Sequence, residues 1–228
     1  MIDRNARNSA IAAFEDYLED KITAFQFDDR LQDIESDDRT VNVVVRAAWH
    51  YYDDCRDHKV TLSKKEWDYF QRLLLILRSN TEIATFETTR WSWDHVVAWL
   101  SLAFFIAAAF FVEWGFQLVL LAIPFGLISM LISRHRRQSL PEPSPNEIAC
   151  VPFDSYSQIR WLRRQVPSFQ KRRYRSEIKA RRIWSKAEVS FISVRTSIAW
   201  LILGPIVLLF QGFPSRESHK LTLATPSQ

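Results

Sequence analysis

The chain has 228 residues, of which 47% are hydrophobic and 25% charged, enough for one modest soluble domain and one membrane module. Four glycines point to a helical composition with few tight turns, and two cysteines, Cys55 and Cys150, in segments read as cytosolic, give no structural disulfide. The net charge of +4 conceals a split, because residues 1–95 hold 13 Lys/Arg against 19 Asp/Glu while residues 134–195 hold 15 against 5.

The polar start MIDRNARNSA carries no signal-peptide pattern, so membrane insertion is expected to be directed from within the chain. From Ala6 to Asp20 the spacing of Ile11, Phe14 and Leu18 predicts an amphipathic helix. A second short helix is expected around Asp28 to Ile34, followed by the polar break ESDDRT. A longer helix is expected over Val41 to Asp57, with Val45, Ala48, Trp49, Tyr52 and Cys55 on one face. On it His50, Asp54 and His58 would fall at i, i+4 and i+8, lining up two imidazoles and a carboxylate that suit a divalent metal. No further ligand is identifiable, so a solvated polar face is the preferred reading. The acidic run DDRLQDIESDD lacks the glycine and terminal glutamate spacing of a calcium loop.

Ser63 and Glu66 match a capping box that opens a helix over Lys64 to Arg78. Its stripe of Trp67, Phe70, Leu74 and Leu77 is widened by Leu73, Leu75 and Ile76, so this helix is either central in a bundle or docks on a partner. Trp67, Phe70, Leu73 and Leu74 are the candidate partner-facing residues. Residues 1–90 are thus expected to form an acidic helical domain in the cytosol, with Glu82 to Arg90 as a connector.

Val96 to Val112 and Phe116 to Ile132 are apolar runs of 17 residues each, separated by Glu113, Trp114 and Gly115. At about 1.5 Å per residue each reaches roughly 25 Å, close to a hydrocarbon core of about 30 Å. They predict a transmembrane helical hairpin over residues 91–137, with Trp91, Trp93 and Trp114 at the interfaces. Arg134, Arg136 and Arg137 follow the second run and the turn has no Lys or Arg, which puts both ends of the hairpin in the cytoplasm and the Glu113 turn outside. Gly126 with Ser129 or Met130 offers a surface for close packing, a route to a homo-oligomer through membrane helices.

Residues 138–154 read as a Pro-rich linker and residues 155–195 as a basic amphipathic helical segment. Arg160, Arg163, Arg164, Arg172, Arg173, Arg175, Arg181 and Arg182, interleaved with Trp161 and Trp184, suit an anionic lipid surface. An acidic protein surface, this chain's own N-terminal domain included, is the second reading, and nucleic acid is disfavoured. A helical face from Ala180 to Ile198 runs into residues 196–213, read as a third transmembrane or re-entrant helix interrupted at Gly204-Pro205. Residues 214–228 are expected to be a disordered tail.

The expectation is therefore an all-α chain: an N-terminal cytosolic helical bundle, a transmembrane hairpin, a basic amphipathic segment and a third membrane helix. No catalytic, cofactor-binding or metal-binding set is assigned. The leading functional reading is a non-enzymatic, multi-pass protein of an inner or plasma membrane, with a cytoplasmic N-terminus and a helical domain that binds a protein partner as adaptor, anchor or regulator. The alternative is an oligomeric pore-forming or membrane-perturbing effector with the N-terminal domain as sensor.

Overall fold

The computed structural model describes residues 2–112, 115–139 and 150–223. In chain order the elements are α1 (Arg4–Leu18), α2 (Ala24–Gln32), α3 (Arg39–Ala48), α4 (Lys64–Arg78), β1 (Ile83–Arg90), α5 (Trp93–Ala109) and α6 (Phe116–Ser139). They continue with α7 (Tyr156–Gln165), α8 (Ser176–Ala180), α9 (Lys186–Ile202), α10 (Gly204–Gln211) and β2 (Ser215–Leu223). The helices divide into two compact units that alternate along the chain: residues 1–86, 143–183 and 220–228 in one, residues 87–142 and 184–219 in the other. Residues 82–90, read as a connector, and much of the expected disordered tail are instead extended, and β1 pairs with β2 in a two-stranded sheet. The Glu113–Trp114 turn, most of the Pro-rich linker (140–149) and residues 224–228 lie outside the described residues.

In the first unit the helix starts are set by local side-chain caps. Asp3 accepts from the Ala6 N–H, and Thr23 with Gln26 and Ser63 with Glu66 form reciprocal capping boxes. α3 is shorter than expected: it ends at Ala48, and a single 3₁₀ turn covers Trp49–Tyr51. The reason is a competing local network. Asp53 Oδ1 accepts from the N–H groups of Cys55 and Arg56 (2.8 and 3.2 Å), which holds the following residues in a turn rather than a helix. The His50, Asp54, His58 ladder on one helix therefore does not form. His58 Nε2 accepts from the Asp53 N–H (3.0 Å) and Nδ1 donates to the Lys59 carbonyl (2.6 Å), so both ring nitrogens serve this loop.

The core of the first unit is aromatic. Phe14 meets Phe27 edge-on at 5.2 Å, Tyr17 stacks on Phe27 at 4.5 Å, and Phe70 lies 5.4 Å from Phe14. α4 is the centre: Trp67, Tyr69, Phe70, Gln71 and Leu73 to Leu77 are all buried. α1 and α3 cover part of it, and α7 covers another face, with Ile159 and Leu162 of α7 joining the same core as Phe153, Val166 and Ile178. The wide apolar surface of this helix is thus closed by the chain's own later residues.

One ion pair is buried inside this unit. Arg7 donates from Nε to Asp38 Oδ2 (2.6 Å) and from Nη2 to Oδ1 (3.2 Å), with both side chains almost inaccessible, and its Nη1 reaches the Ser79 carbonyl (2.7 Å). Asp38 also caps α3 through the Thr40 N–H and accepts from the Asp3 N–H, so one carboxylate ties the start of α1 to the start of α3. Burial pushes the Asp38 pKa up, but the Arg7 hydrogen bond and the two N–H groups more than offset it and hold the carboxyl below its usual range.

In the second unit α5 and α6 run antiparallel. Asp94 at the start of α5 meets His135 (3.1 Å) and Arg136 (3.7 Å) near the end of α6. α6 is long and apolar enough to cross a membrane, whereas α5 is apolar but shorter, at 17 residues. The third apolar run is not straight. α9 and α10 bend by 77° at Leu203, and Gly204 lies backbone to backbone against Gly126 at the middle of α6, where a Cβ on Gly204 would come within 2.2 Å of the Gly126 Cα. From there α10 runs back along α6: Gln211 Nε2 donates to Ser133 Oγ (2.7 Å) and Arg136 Nη2 donates to the Gln211 carbonyl (2.7 Å). The Trp99 indole N–H, in the first half of α5, donates to the Gly212 carbonyl (2.9 Å). The C-terminal end of α10 therefore sits at the same end of the unit as Asp94 and Arg136. Gly126 and Ser129, the small residues expected to seat a second copy, are occupied by α9 and α10, with Trp200 donating to Ser129 Oγ (3.2 Å).

The buried ion pair gives the first prediction. Arg7→Met leaves the Asp38 carboxylate buried without its cation, and the unfolding free energy should fall by about 3–5 kcal/mol. Chemical denaturation read by tryptophan fluorescence checks it, with Lys64→Met on the exposed start of α4 expected to leave the midpoint unchanged.

Candidate anion-binding cleft

The cationic residues of the basic segment divide into two groups. Arg172, Arg175 and Arg181 are turned toward the acidic end of α1. Arg172 pairs with Glu15 (3.1 Å) and with Glu19, Arg175 with Asp20 (3.2 Å), and Arg181 holds Asp20 with two bonds of 2.7 and 2.8 Å. Asp20 is placed for this by its backbone. It follows α1 with φ 63°, and the bonds Asp20 N–H to Tyr17 O and Lys21 N–H to Asp16 O complete a Schellman ending. Glycine is usual at such a site, but an aspartate tolerates the left-handed region and here supplies the carboxylate. The backbone follows the charges: the Trp67 indole N–H donates to the Arg172 carbonyl (3.2 Å), and the Tyr174 hydroxyl donates to the Leu62 carbonyl (2.9 Å).

The basic segment is accordingly not one continuous amphipathic helix. α7 ends before Pro167, α8 is a single short turn of helix, Arg181 is extended, and the Ser185–Glu188 capping box starts α9 afresh. The apolar face of α7, which a lipid surface would have received, is buried on α4 through Ile159 and Leu162. Trp67, Phe70, Leu73 and Leu74, expected to face a partner, are buried in the same core. Of the remaining cations, Arg160, Arg163, Arg164, Arg173 and Arg182 are exposed, with Trp161 beside them, while Trp184 is half-buried and belongs to the second unit.

Between α4 and α7 lies a cleft of about 620 Å³. Lys65, Asp68, Arg72 and Leu75 line it from α4 at spacings of three, four and three, one helix face. Tyr156, Ile159, Arg160 and Arg163 line it from α7, and Phe169 and Lys171 close it from the coil beyond. Five cations thus face one carboxylate. Asp68 is paired with Lys171 (2.7 Å), and Arg72 donates to the Val151 carbonyl and lies 5.9 Å from the Tyr69 ring centre. Burial lowers the Arg72 pKa, but a guanidinium stays charged at neutral pH. Lys65, Arg160 and Arg163 have no ion pair among the described residues. Gln71, also among the lining residues, is 2% exposed, and its Oε1 accepts the Arg172 backbone N–H (3.0 Å), which fixes the amide orientation and leaves Nε2 without a partner among the described residues.

No protein family, curated protein or solved structure matches the chain.

The cleft can neutralise and hydrogen-bond an anion while burying an apolar body against Leu75, Ile159, Phe169 and Tyr156. Sequence reasoning singled out Arg160 and Arg163 but not Lys65, Gln71, Arg72, Tyr156, Phe169 or Lys171. The spacing of Lys65, Asp68 and Arg72 on the helix opened by Ser63 was a usable signal, but only the return of α7 turns that face into a cleft wall. Asp53, Asp54 and Cys55 group three potential ligand atoms on the exposed loop after α3, yet Asp53 is engaged by backbone N–H groups and nothing else there points to a metal.

Asp20 gives the second prediction. Burial raises its pKa, and the hydrogen bond and charge of Arg181, with Arg175 behind them, outweigh that and leave it below its unfolded value of about 3.9. A depressed carboxylate contributes stability that is present above the unfolded pKa and lost as pH falls through the folded one. Asp20→Asn should therefore cost about 1.5–3 kcal/mol at pH 7 and flatten the loss of stability below about pH 4. Denaturant midpoints measured from pH 7 to pH 3 check both parts.

Proposed function

We propose that the protein is a non-enzymatic, membrane-anchored binding module, in which the second unit is held in a lipid bilayer and the first unit engages an anionic partner through the cleft between α4 and α7. The observation that carries the reading is the chain order. Residues 87–142 leave one compact unit and return to it, so an apolar excursion begins and ends at the same soluble body. If α6 crosses the bilayer, α5 must bring the chain to the far side, which supports a two-helix hairpin with both ends on one face. The apolar surface agrees with lipid contact: Phe104, Phe110 and Phe111 are 70%, 85% and 91% exposed, a surface that water tolerates poorly. Arg134, Arg136 and Arg137 at the end of α6 favour the cytoplasmic side for the first unit.

The same reasoning makes α9 and α10 a re-entrant pair rather than a third crossing. Their bend rests against Gly126 in mid-helix, α10 heads back to the level of Arg136, and β2 beyond it pairs with β1, the strand that leads into α5. An eight-residue helix covers only about 12 Å, less than half a hydrocarbon core.

Single-cysteine labelling in intact cells tests this topology. In a Cys55→Ser background, Gly115→Cys, where a new side chain meets open space, should react with a membrane-impermeant maleimide. Ser215→Cys should react only after permeabilisation. Labelling of Ser215→Cys from outside would establish a third crossing, and labelling of it without Gly115→Cys would reverse the orientation.

A further inference from the structure

Resting on the proposed binding role of the first unit, we infer that the cleft between α4 and α7 is a site for an organic phosphate: a phosphate group presented to Lys65, Gln71, Arg160 and Arg163, with an apolar or aromatic body against Tyr156, Ile159 and Phe169. Four observations converge on that chemistry. The cleft volume, about 620 Å³, falls within the range of small-molecule sites. The three cations without an ion pair among the described residues, Lys65, Arg160 and Arg163, come from two helices and face one space. Convergent positive charge of this kind on a folded surface is self-repelling, and a polyanion relieves the repulsion.

The third observation is the Gln71 amide. It stands among the residues that line the cleft, it is buried, its oxygen accepts the Arg172 N–H, and its Nε2 has no acceptor among the described residues. A buried donor calls for an acceptor. A phosphate supplies several acceptor oxygens and up to two charges, so one group can meet a neutral amide donor and two or three cations together. The fourth is the apolar half of the lining. Leu75, Ile159 and Phe169 offer nothing to a free inorganic anion, but they fit the base of a nucleotide or the glycerol and upper acyl part of a phospholipid. Those two sources share the phosphate chemistry, and the arms of the experiment separate them.

Full-length protein in dodecyl maltoside is titrated with four probes by isothermal calorimetry: ATP, dioctanoyl phosphatidic acid, dioctanoyl phosphatidylcholine and inorganic phosphate. Saturable binding of either ATP or the phosphatidic acid is expected, tighter than the zwitterionic lipid and tighter than inorganic phosphate. ATP binding assigns a nucleotide-type ligand, and phosphatidic acid binding a lipid headgroup. Arg160→Ala with Arg163→Ala, both exposed and outside the core, should weaken that binding about tenfold or more. Gln71→Glu, which keeps the acceptor for the Arg172 N–H and replaces the donor by a charge, should weaken it likewise. Arg173→Ala with Arg182→Ala, exposed cations that do not line the cleft, should leave it within about twofold. Circular dichroism melts of each variant separate lost binding from lost folding.

Binding that falls equally in both double-arginine variants would overturn the inference, because it would be charge attraction without a site. So would inorganic phosphate binding as tightly as the organic probes, which would leave the apolar lining without a role. A glutamate-rich peptide serves as a fifth probe. If it binds in an Arg160- and Arg163-dependent manner while neither organic phosphate does, the phosphate inference falls and the anionic-partner reading of the first unit stands.

Discussion

The constraint on which the fold depends is that α4 is apolar on nearly every side. Nine of its fifteen residues are buried, and a single layer of neighbours cannot cover them. α1 and α3 cover part of the helix, and the remainder is left for a segment that the chain delivers only after two apolar helices have intervened. Phe153, Ile159, Leu162, Val166 and Ile178 complete the same core as Phe14, Phe27 and Phe70. The part of the chain that carries α5 and α6 is thus an insertion between two segments of one compact unit.

Burial and charge have different roles in this closure. Residues 1–86 hold 12 Lys/Arg and 17 Asp/Glu, a net of −5, and residues 143–183 hold 10 and 3, a net of +7, so joining them nearly cancels both fields. The partly exposed pairs of Arg172, Arg175 and Lys171 are each worth little, about 0–1 kcal/mol, while burying one Leu or Ile side chain is worth about 1.5–3 kcal/mol. Apolar contact therefore holds the segment in place. The ion pairs select its register, with Asp20 as the fixed point because its left-handed backbone aims a carboxylate at two arginines. Of the cations left over from this pairing, Arg160 and Arg163 line the α4–α7 cleft. In the second unit the corresponding constraint is steric: a side chain on Gly126 would run into the Leu201 backbone of α9, and one on Gly204 into the Gly126 backbone, so either would force the bend between α9 and α10 away from α6.

What was legible in the sequence is what local rules control. The Ser63–Glu66 box, the Phe14 and Leu18 face of α1 and the two apolar runs each stand where their own neighbours place them. The end of α3 was not legible, because Asp53 carries no mark that separates a helical aspartate from one that captures the next N–H groups. The destination of the basic segment was not legible either. Arginines alternating with Trp161, Leu162 and Ile178 make the same pattern whether the apolar face meets lipid or α4, and only contacts between residues some hundred positions apart decide it. The excess width of the Trp67–Leu77 surface did announce a missing cover. It could not say that the cover lies in the same chain.

The central claim is that residues 143–183 are an integral part of the N-terminal fold. Mixing two separate fragments, 1–86 and 143–183, tests it most directly, with far- and near-ultraviolet circular dichroism followed through thermal unfolding. The account predicts that 1–86 alone is helical but melts without cooperativity, and that adding 143–183 restores a cooperative transition and fixed near-ultraviolet signals from Trp67. A cooperative melt of 1–86 alone, unchanged by the second fragment, would contradict it.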